Sequence, residues 1–257
     1  MFVAFLLVAV LSLHGVYGLR LSTRLMMTSS SKYLGKNPVF VAGGSSGVGL
    51  ELIKRLSARG TPVQVLVRRP DAADYLSTLP GVKVFMGDAL EADKVQGAMQ
   101  GCVAAVTTLG GEPVPGQTER VDYAGNSNVV EQAGILGVER IILVTSVGCG
   151  DTIGAVPSHV YKALEGALNA KSKAERELKM YTNLDWTIVR PGGLRNHSPS
   201  GKAIFTEDIM ASGSVSREDV AELLIKVLGS TGQCTRRELT VVDPTFNPDY
   251  RYVPFNF

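Results

Sequence analysis

A glycine-rich turn between an apolar run and an amphipathic segment constrains the fold of this chain most. Val39–Ala42 is apolar, largely β-branched and bounded by Pro38 and glycine, which predicts a buried strand. From Val48 onward, apolar residues recur at helical spacing, which predicts a helix. Glycines at such a turn let a pyrophosphate approach the helix N-terminus, where the amide dipoles favour negative charge. A glycine-rich turn without a ligand is the alternative, and the strand–turn–helix context disfavours it.

The spacing of these glycines is G-x-x-x-G-x-G, formed by Gly43, Gly47 and Gly49. It resembles the T-G-x-x-x-G-x-G loop of the short-chain dehydrogenase/reductase superfamily, with Ala42 in place of the threonine. The resemblance implies that the turn holds a dinucleotide cofactor. The cofactor-binding residues it implies in the turn are Gly43, Ser45, Ser46, Gly47, Val48 and Gly49.

Two further strand ends bear on the choice of cofactor. The second predicted strand, 63–67, is followed by Arg68 and Arg69, where an acidic residue would bind the free 2′-hydroxyl of NAD and arginine accommodates a 2′-phosphate. The sequence therefore predicts NADP(H), with a solvated basic turn as the alternative. The third predicted strand ends in Asp88 and Ala89, which resemble the G-D segment whose aspartate contacts the adenine in the superfamily. Asp88 also suits a helix cap, and the two roles are compatible.

The catalytic part of the superfamily pattern is incomplete. Ser146 ends the fifth predicted strand, matches the catalytic serine and could hydrogen-bond a substrate carbonyl, although a serine there also suits a bond to the turn backbone. In the Tyr-x-x-x-Lys element the matching lysine is Lys173, with Asn169 in place of the tyrosine. The resemblance implies that Lys173 orients the nicotinamide ribose and that Pro191 packs beside the nicotinamide. Lys171 is expected on a solvated helix face.

Composition excludes several other classes of protein. The net charge is +2 and no basic block stands out, so nucleic-acid binding is not predicted. Three cysteines, Cys102, Cys149 and Cys234, are far apart and odd in number, which predicts neither a disulfide framework nor a metal site. No cluster of histidine, cysteine and carboxylate residues suggests a metal.

The first 36 residues have the character of a two-part targeting leader. Residues 1–18 contain an apolar core too short for a comfortable membrane span, typical of a signal peptide. Residues 19–36 are basic and rich in serine and threonine, and no acidic residue precedes Glu51, which is typical of a transit peptide. The order resembles plastid leaders of algae with secondary plastids. A secretory signal or an anchor at the endoplasmic reticulum is the alternative; the mature chain is expected to have no stable membrane span.

The resemblance extends over 39–242, and the chain is identified as an atypical, NmrA-like member of the superfamily. Ser216 begins a segment similar to the S-R-x-D-V-A helix of such members and suits an N-cap, with Asp219 three residues on. The expected fold of 37–257 is a single Rossmann-like α/β domain, a doubly wound parallel sheet with helices on both faces. A polar insertion, 196–209, is expected on the substrate side.

Two functions remain open at this point. The first is an NADP(H)-dependent oxidoreductase that reduces a small organic acceptor; without the tyrosine, a quinone, flavin or conjugated alkene is favoured over a simple ketone. The second is a non-catalytic NADP(H)-binding protein for redox sensing or assembly in the plastid. The partner is accordingly a small-molecule substrate or a protein, and the sequence does not predict the oligomeric state.

Overall fold

The computed structural model describes residues 33–112, 120–230 and 232–257. Residues 1–32 lie outside the described residues, so the two parts of the leader stay predictions. Within the described residues, no helix combines the length and apolar character needed to cross a membrane.

The strands form one large sheet and one small one. In chain order they are β1 (Val39–Ala42), β2 (Val63–Val67), β3 (Val82–Met86), β4 (Ala104–Thr107), β5 (Arg140–Val144), β6 (Asp185–Pro191), β7 (Gly193–Arg195), β8 (Ile204–Thr206), β9 (Ser214–Ser216) and β10 (Arg237–Val242). The large sheet has the order β3-β2-β1-β4-β5-β6-β10-β8, and every pairing in it is parallel except that of β8 with β10. Strands β7 and β9 pair separately, in parallel.

Helices cover both faces of the large sheet. They are α1 (Gly47–Ala58), α2 (Pro70–Ser77), α3 (Ala92–Met99), α4 (Ala124–Leu136), α5 (Ser158–Met180) and α6 (Arg217–Gly229), with short 3₁₀ helices at Gly150–Ala155 and Pro244–Phe246. Strand β1 is fully buried because its side chains alternate between two cores. Val39 and Val41 pack with α1 and α6, whereas Phe40 and Ala42 pack with α3 and α4. The predicted doubly wound α/β fold is confirmed.

The structure differs from the sequence-based expectation at several elements. The 196–209 segment is not only a loop, because Ile204–Thr206 forms edge strand β8, antiparallel to β10, with Phe205 buried in the core. Helix α5, which carries Lys173, begins at Ser158, whereas the sequence pattern predicts a start near Ala163; Pro157 is its N-cap residue. Helix α2 was not predicted; Pro70 occupies its first turn, where the missing N–H carries no penalty.

The parallel register brings the loops of the site together. Strands β1, β2 and β4 are in step, since Val39 pairs with both Val63 and Ala104, and β5 and β6 continue the same direction. The carboxyl ends of these strands therefore lie along one edge of the sheet, where ligands of open α/β sheets bind. The chain order changes direction between β1 and β4, which places the switch point beside the glycine-rich turn.

Candidate functional site

A cavity of about 620 Å³ opens along the carboxyl edge of the sheet. One end is bordered by the glycine-rich turn, Arg68 and Asp88, and the other by Ser146, Lys171 and Pro191. Its volume falls within the range of about 300–1,000 Å³ typical of small-molecule sites. The cavity thus joins most of the residues that the sequence selected separately.

The glycine-rich turn packs against the end of β4. A Cβ on Gly49 would lie 2.3 Å from the Gly43 carbonyl oxygen and 2.5 Å from Thr108 Oγ1. The Thr108 hydroxyl contacts the carbonyl oxygens of Ala42 at 3.2 Å and Gly43 at 3.1 Å. Gly43 and Gly47 have φ angles of +82° and +57°, which favour glycine. The turn is therefore held in one conformation, and Thr108 is a supporting residue that the motif did not predict.

The N-terminus of α1 borders the cavity without a side-chain cap. Ser45, Ser46, Gly47 and Val48 all line the cavity, and the Ser46 side chain makes no hydrogen bond to the first turn of α1. The first amide groups of a helix lack partners within the helix. This end of the cavity can therefore receive an anionic group such as a phosphate.

Arg68 and Arg69 have different surroundings. Arg68 lines the cavity, its side chain is 53% exposed, and its Nη1 lies 3.3 Å from Asp88 Oδ2. Asp88 and Ala89 line the cavity too, and Asp88 Oδ1 accepts a hydrogen bond from the amide of Leu90, the capping role expected as the alternative. Arg69 is not among the lining residues; it pairs with Asp71 at 3.0 Å on the surface. The structure thus brings Arg68, but not Arg69, to the cavity.

Ser146 lies at the opposite end of the cavity. Its hydroxyl donates to the carbonyl oxygen of Val147 at 2.9 Å, so the alternative expected for this serine is the contact observed. Pro191 lines the cavity beside it. Below them, the Thr145 hydroxyl donates to Glu175 Oε1 at 2.6 Å, which ties the end of β5 to α5.

The lysine at the cavity is Lys171, which corrects the expectation for Lys173. Lys171 Nζ donates to the Leu109 carbonyl oxygen at 2.8 Å and lies 3.5 Å from Oδ1 of the buried Asp122. Lys173 Nζ lies 3.6 Å from the centroid of the Tyr123 ring, and Lys173 does not line the cavity. Residues two apart on a helix do not share a face, so only one of these lysines can reach the site.

The change of lysine also changes the residue that replaces the tyrosine. Ala167 stands four residues before Lys171 and lines the cavity. Asn169 accepts a hydrogen bond from the Tyr161 hydroxyl at 3.0 Å, away from the lining residues. Beside Leu164 and Leu168, this part of the wall contains five small residues: Gly110, Gly111, Ala163, Gly166 and Ala167. No tyrosine, histidine or cysteine lines the cavity in the described part of the chain.

None of the three cysteines lines the cavity. Cys102, Cys149 and Cys234 are buried and unpaired with one another. Burial raises the pKa of the Cys149 thiol to about 11, with the nearby charge of Glu175 acting in the same direction. Across residues 33–112, 120–230 and 232–257, no group of three or more His, Cys, Asp or Glu side chains is arranged to hold a metal ion.

The residues present fit a nicotinamide dinucleotide. The uncapped helix N-terminus suits a pyrophosphate, Arg68 at the end of β2 suits the adenosine ribose, and Lys171 lies at the end where the superfamily places the nicotinamide ribose. A side chain at Gly43 or Gly49 would collide with neighbouring backbone, so the turn has the close packing that such a cradle requires.

Comparisons with known proteins agree with this geometry. A sequence model of the NAD(P)H-binding family matches residues 43–231. An uncharacterised chloroplastic protein of Arabidopsis thaliana is 33% identical, covering 74% of this chain and 71% of that protein. Sanguinarine reductase of Eschscholzia californica is 28% identical, with 79% of this chain and 86% of the enzyme covered. The structure of ChuY, an anaerobillin reductase from Escherichia coli O157:H7, superposes with a TM-score of 0.74 at 31% identity, over 82% of this chain and 99% of ChuY. The chain therefore belongs to the NAD(P)H-binding family and is an atypical, NmrA-like short-chain dehydrogenase/reductase.

Proposed function

We propose that this protein is an NADP(H)-dependent reductase of a conjugated organic acceptor, such as a quinone, a flavin or a conjugated alkene. The observation that carries the proposal is a continuous cavity from Arg68 to Lys171 whose wall at the lysine end combines glycine and alanine with the apolar side chains of Leu164 and Leu168. When bound, NADPH would supply a hydride at that end.

The chain's own residues then have separate tasks. The N-terminus of α1 binds the pyrophosphate, and Arg68 accommodates the 2′-phosphate because a guanidinium forks onto phosphate oxygens. Lys171, held by Asp122 and the Leu109 carbonyl oxygen, binds the nicotinamide ribose. The Ser146 hydroxyl can turn from the Val147 carbonyl oxygen to hydrogen-bond the acceptor.

The choice of acceptor follows from the missing acid. A positioned general acid contributes about 10²- to 10⁴-fold in rate, and Ala167 cannot act as one. A simple ketone needs a proton on its oxygen as the hydride arrives, whereas a conjugated acceptor delocalises the charge and takes its proton later from water. The small side chains also leave room for a planar acceptor. The names of two similar proteins, sanguinarine reductase and anaerobillin reductase, support a reductase.

A non-catalytic NADP(H)-binding protein is the second candidate. The same observation favours it, because the described lining residues include no tyrosine, histidine or cysteine that could hand over a proton.

The rate of NADPH oxidation with a panel of acceptors tests the proposal and separates the two candidates. We expect turnover with a naphthoquinone, FMN or a conjugated enone, and turnover with acetophenone or benzaldehyde at least a hundredfold slower. Ser146→Ala should lower the rate with the best acceptor more than it changes NADPH affinity. Equal rates for ketones would contradict the acceptor class, and tight NADPH binding without turnover would favour the non-catalytic candidate.

We further propose that the protein acts in a plastid. The similar Arabidopsis protein is chloroplastic, and residues 1–36 have the composition of a two-part leader. A fluorescent fusion of residues 1–36 should reach the stroma in an alga with complex plastids, and removal of residues 1–18 should leave it in the cytosol. Retention of the intact leader in the endoplasmic reticulum, or its secretion, would refute the plastid location.

A further inference from the structure

We propose that Arg217, the first residue of α6, binds the pyrophosphate of the dinucleotide together with the N-terminus of α1. This inference rests on the proposed binding of NADP(H). Arg217 lines the cavity, and its Nε lies 3.8 Å from the position that a Cβ on Gly47 would occupy. The guanidinium therefore faces the turn at which the phosphates are expected.

The small sheet sets this position. In the β7–β9 pairing Arg195 is opposite Ser216, so the following residues, Asn196 and Arg217, are brought side by side. Ser216 caps α6, since its Oγ accepts a hydrogen bond from the amide of Asp219 at 2.9 Å, as its sequence predicts. The backbone that carries Arg217 is thus fixed at a strand end and at a capped helix start.

Ion pairs join the C-terminal end of α1 to the first turns of α6. Arg55 of α1 pairs with Glu218 of α6 at 2.7 Å, and Arg59 pairs with Glu222 at 2.8 Å. Because Glu218 follows Arg217 directly, the Arg55 ion pair also holds the start of α6 against α1.

The charge of Arg217 is the least compensated in the cavity. Of the lining cations, Arg68 pairs with Asp88, and both Arg120 and Lys171 lie within ion-pair distance of Asp122. Among the described residues Arg217 has no carboxylate partner; its Nη1 donates to the neutral amide oxygen of Asn196 at 2.6 Å. An arginine has five N–H donors, so most of its donors and its charge remain available for an anion.

The first turn of α1 makes such a cation useful. It contains Gly47, Val48, Gly49 and Leu50 and thus carries no charged side chain. The helix end supplies amide groups and about half an elementary charge, whereas a pyrophosphate carries about two negative charges. Gly47 has no Cβ to fill the space below Arg217. Arg217 would therefore supply the charge-assisted hydrogen bonds that the turn lacks.

This role differs from that of Arg68 and predicts a different ligand dependence. The pyrophosphate is common to NADP⁺ and NAD⁺, whereas the 2′-phosphate belongs to NADP⁺ alone. Arg217 should therefore strengthen the binding of both dinucleotides, while Arg68 sets the choice between them. Adenosine 2′-monophosphate, which has no pyrophosphate, should not depend on Arg217.

Titration calorimetry of the full chain with these three ligands tests the inference. Arg217→Ala should weaken NADP⁺ and NAD⁺ by the same factor, about 10- to 100-fold for lost hydrogen bonds to a charged group, and leave adenosine 2′-monophosphate unchanged. Arg217→Lys should recover part of the loss. Arg59→Ala removes an equal charge from the same pair of helices away from the cavity, and should change no affinity.

The outcomes separate this inference from the proposed function. Unchanged dinucleotide affinity in Arg217→Ala, or a loss confined to NADP⁺ and adenosine 2′-monophosphate, would overturn the role of Arg217 while NADP(H) binding stands. Failure of the wild-type chain to bind either dinucleotide would instead refute the proposed function. Thermal unfolding of each variant is measured as well. If Arg217→Ala does not fold, Arg217→Gln replaces it and should likewise weaken NADP⁺ and NAD⁺ equally while leaving the affinity for adenosine 2′-monophosphate unchanged.

Discussion

Replacement of Gly49 by alanine should damage both the stability and the cofactor site. The new Cβ would lie 2.3 Å from the Gly43 carbonyl oxygen and 2.5 Å from Thr108 Oγ1, and both neighbours are held by the strand ends. Overpacking of this kind typically costs about 1–3 kcal/mol. For a domain of this size each 1 kcal/mol shifts Tm by about 2–4 °C, so we expect a decrease of about 2–12 °C.

Gly97 provides a matched control for the same substitution. It lies inside α3, and an added Cβ would meet no atom within 4 Å. Alanine at an unstrained helical position stabilises a protein by about 0.4–1 kcal/mol, which raises Tm by about 1–4 °C. Differential scanning calorimetry gives both shifts, and NADPH titration should show weakened binding for Gly49→Ala only. Wild-type Tm and affinity in Gly49→Ala would refute the close packing of the turn.

Three other predictions concern individual residues. Arg68→Ala should weaken the binding of NADPH but not of NADH in titration calorimetry. Arg69→Ala should change neither affinity, since Arg69 is outside the cavity. An equal effect of the two substitutions would contradict the assignment of Arg68 to the 2′-phosphate. Lys171→Ala should weaken the binding of NADPH about tenfold in a fluorescence titration, through the loss of about 1.4 kcal/mol of hydrogen bonding. Lys173→Ala should leave the affinity unchanged, and the reverse result would make Lys173 the lysine of the site. A pKa of about 11 leaves the buried Cys149 thiol almost wholly protonated at pH 8. A disulfide reagent should therefore leave Cys149 unmodified in the native protein and modify it rapidly after denaturation. Rapid labelling of Cys149 in the native protein would contradict its burial.

The sequence predicted the parts of the fold that depend on local pattern. Val39–Ala42 and Ile141–Val144 are apolar throughout because they are buried on both faces of the sheet. Strand β8 was missed because Ile204–Thr206 lies in a polar segment, and its burial depends on pairing with the distant β10.

The site was predicted where backbone geometry determines it and missed where helix phase or distant pairing does. Gly43, Gly47, Asp88, Ser146 and Pro191 line the cavity because each lies at or just after the carboxyl end of a parallel strand. The lysine that lines the cavity is Lys171, two residues before the predicted Lys173. A motif that lacks its tyrosine does not determine which face of α5 points at the cavity. Arg217 is visible in the sequence as part of S-R-x-D-V-A, but only the folded structure shows that its side chain lies beside Gly47 of the turn.

The most direct test of the account is titration of the purified chain with NADPH and, separately, with NADH. We expect one binding site per chain and tighter binding of NADPH, by about tenfold or more, because Arg68 at the end of β2 would bind its 2′-phosphate. Binding of neither nucleotide would contradict the assignment of the cavity, and equal or tighter binding of NADH would contradict the choice of NADP(H).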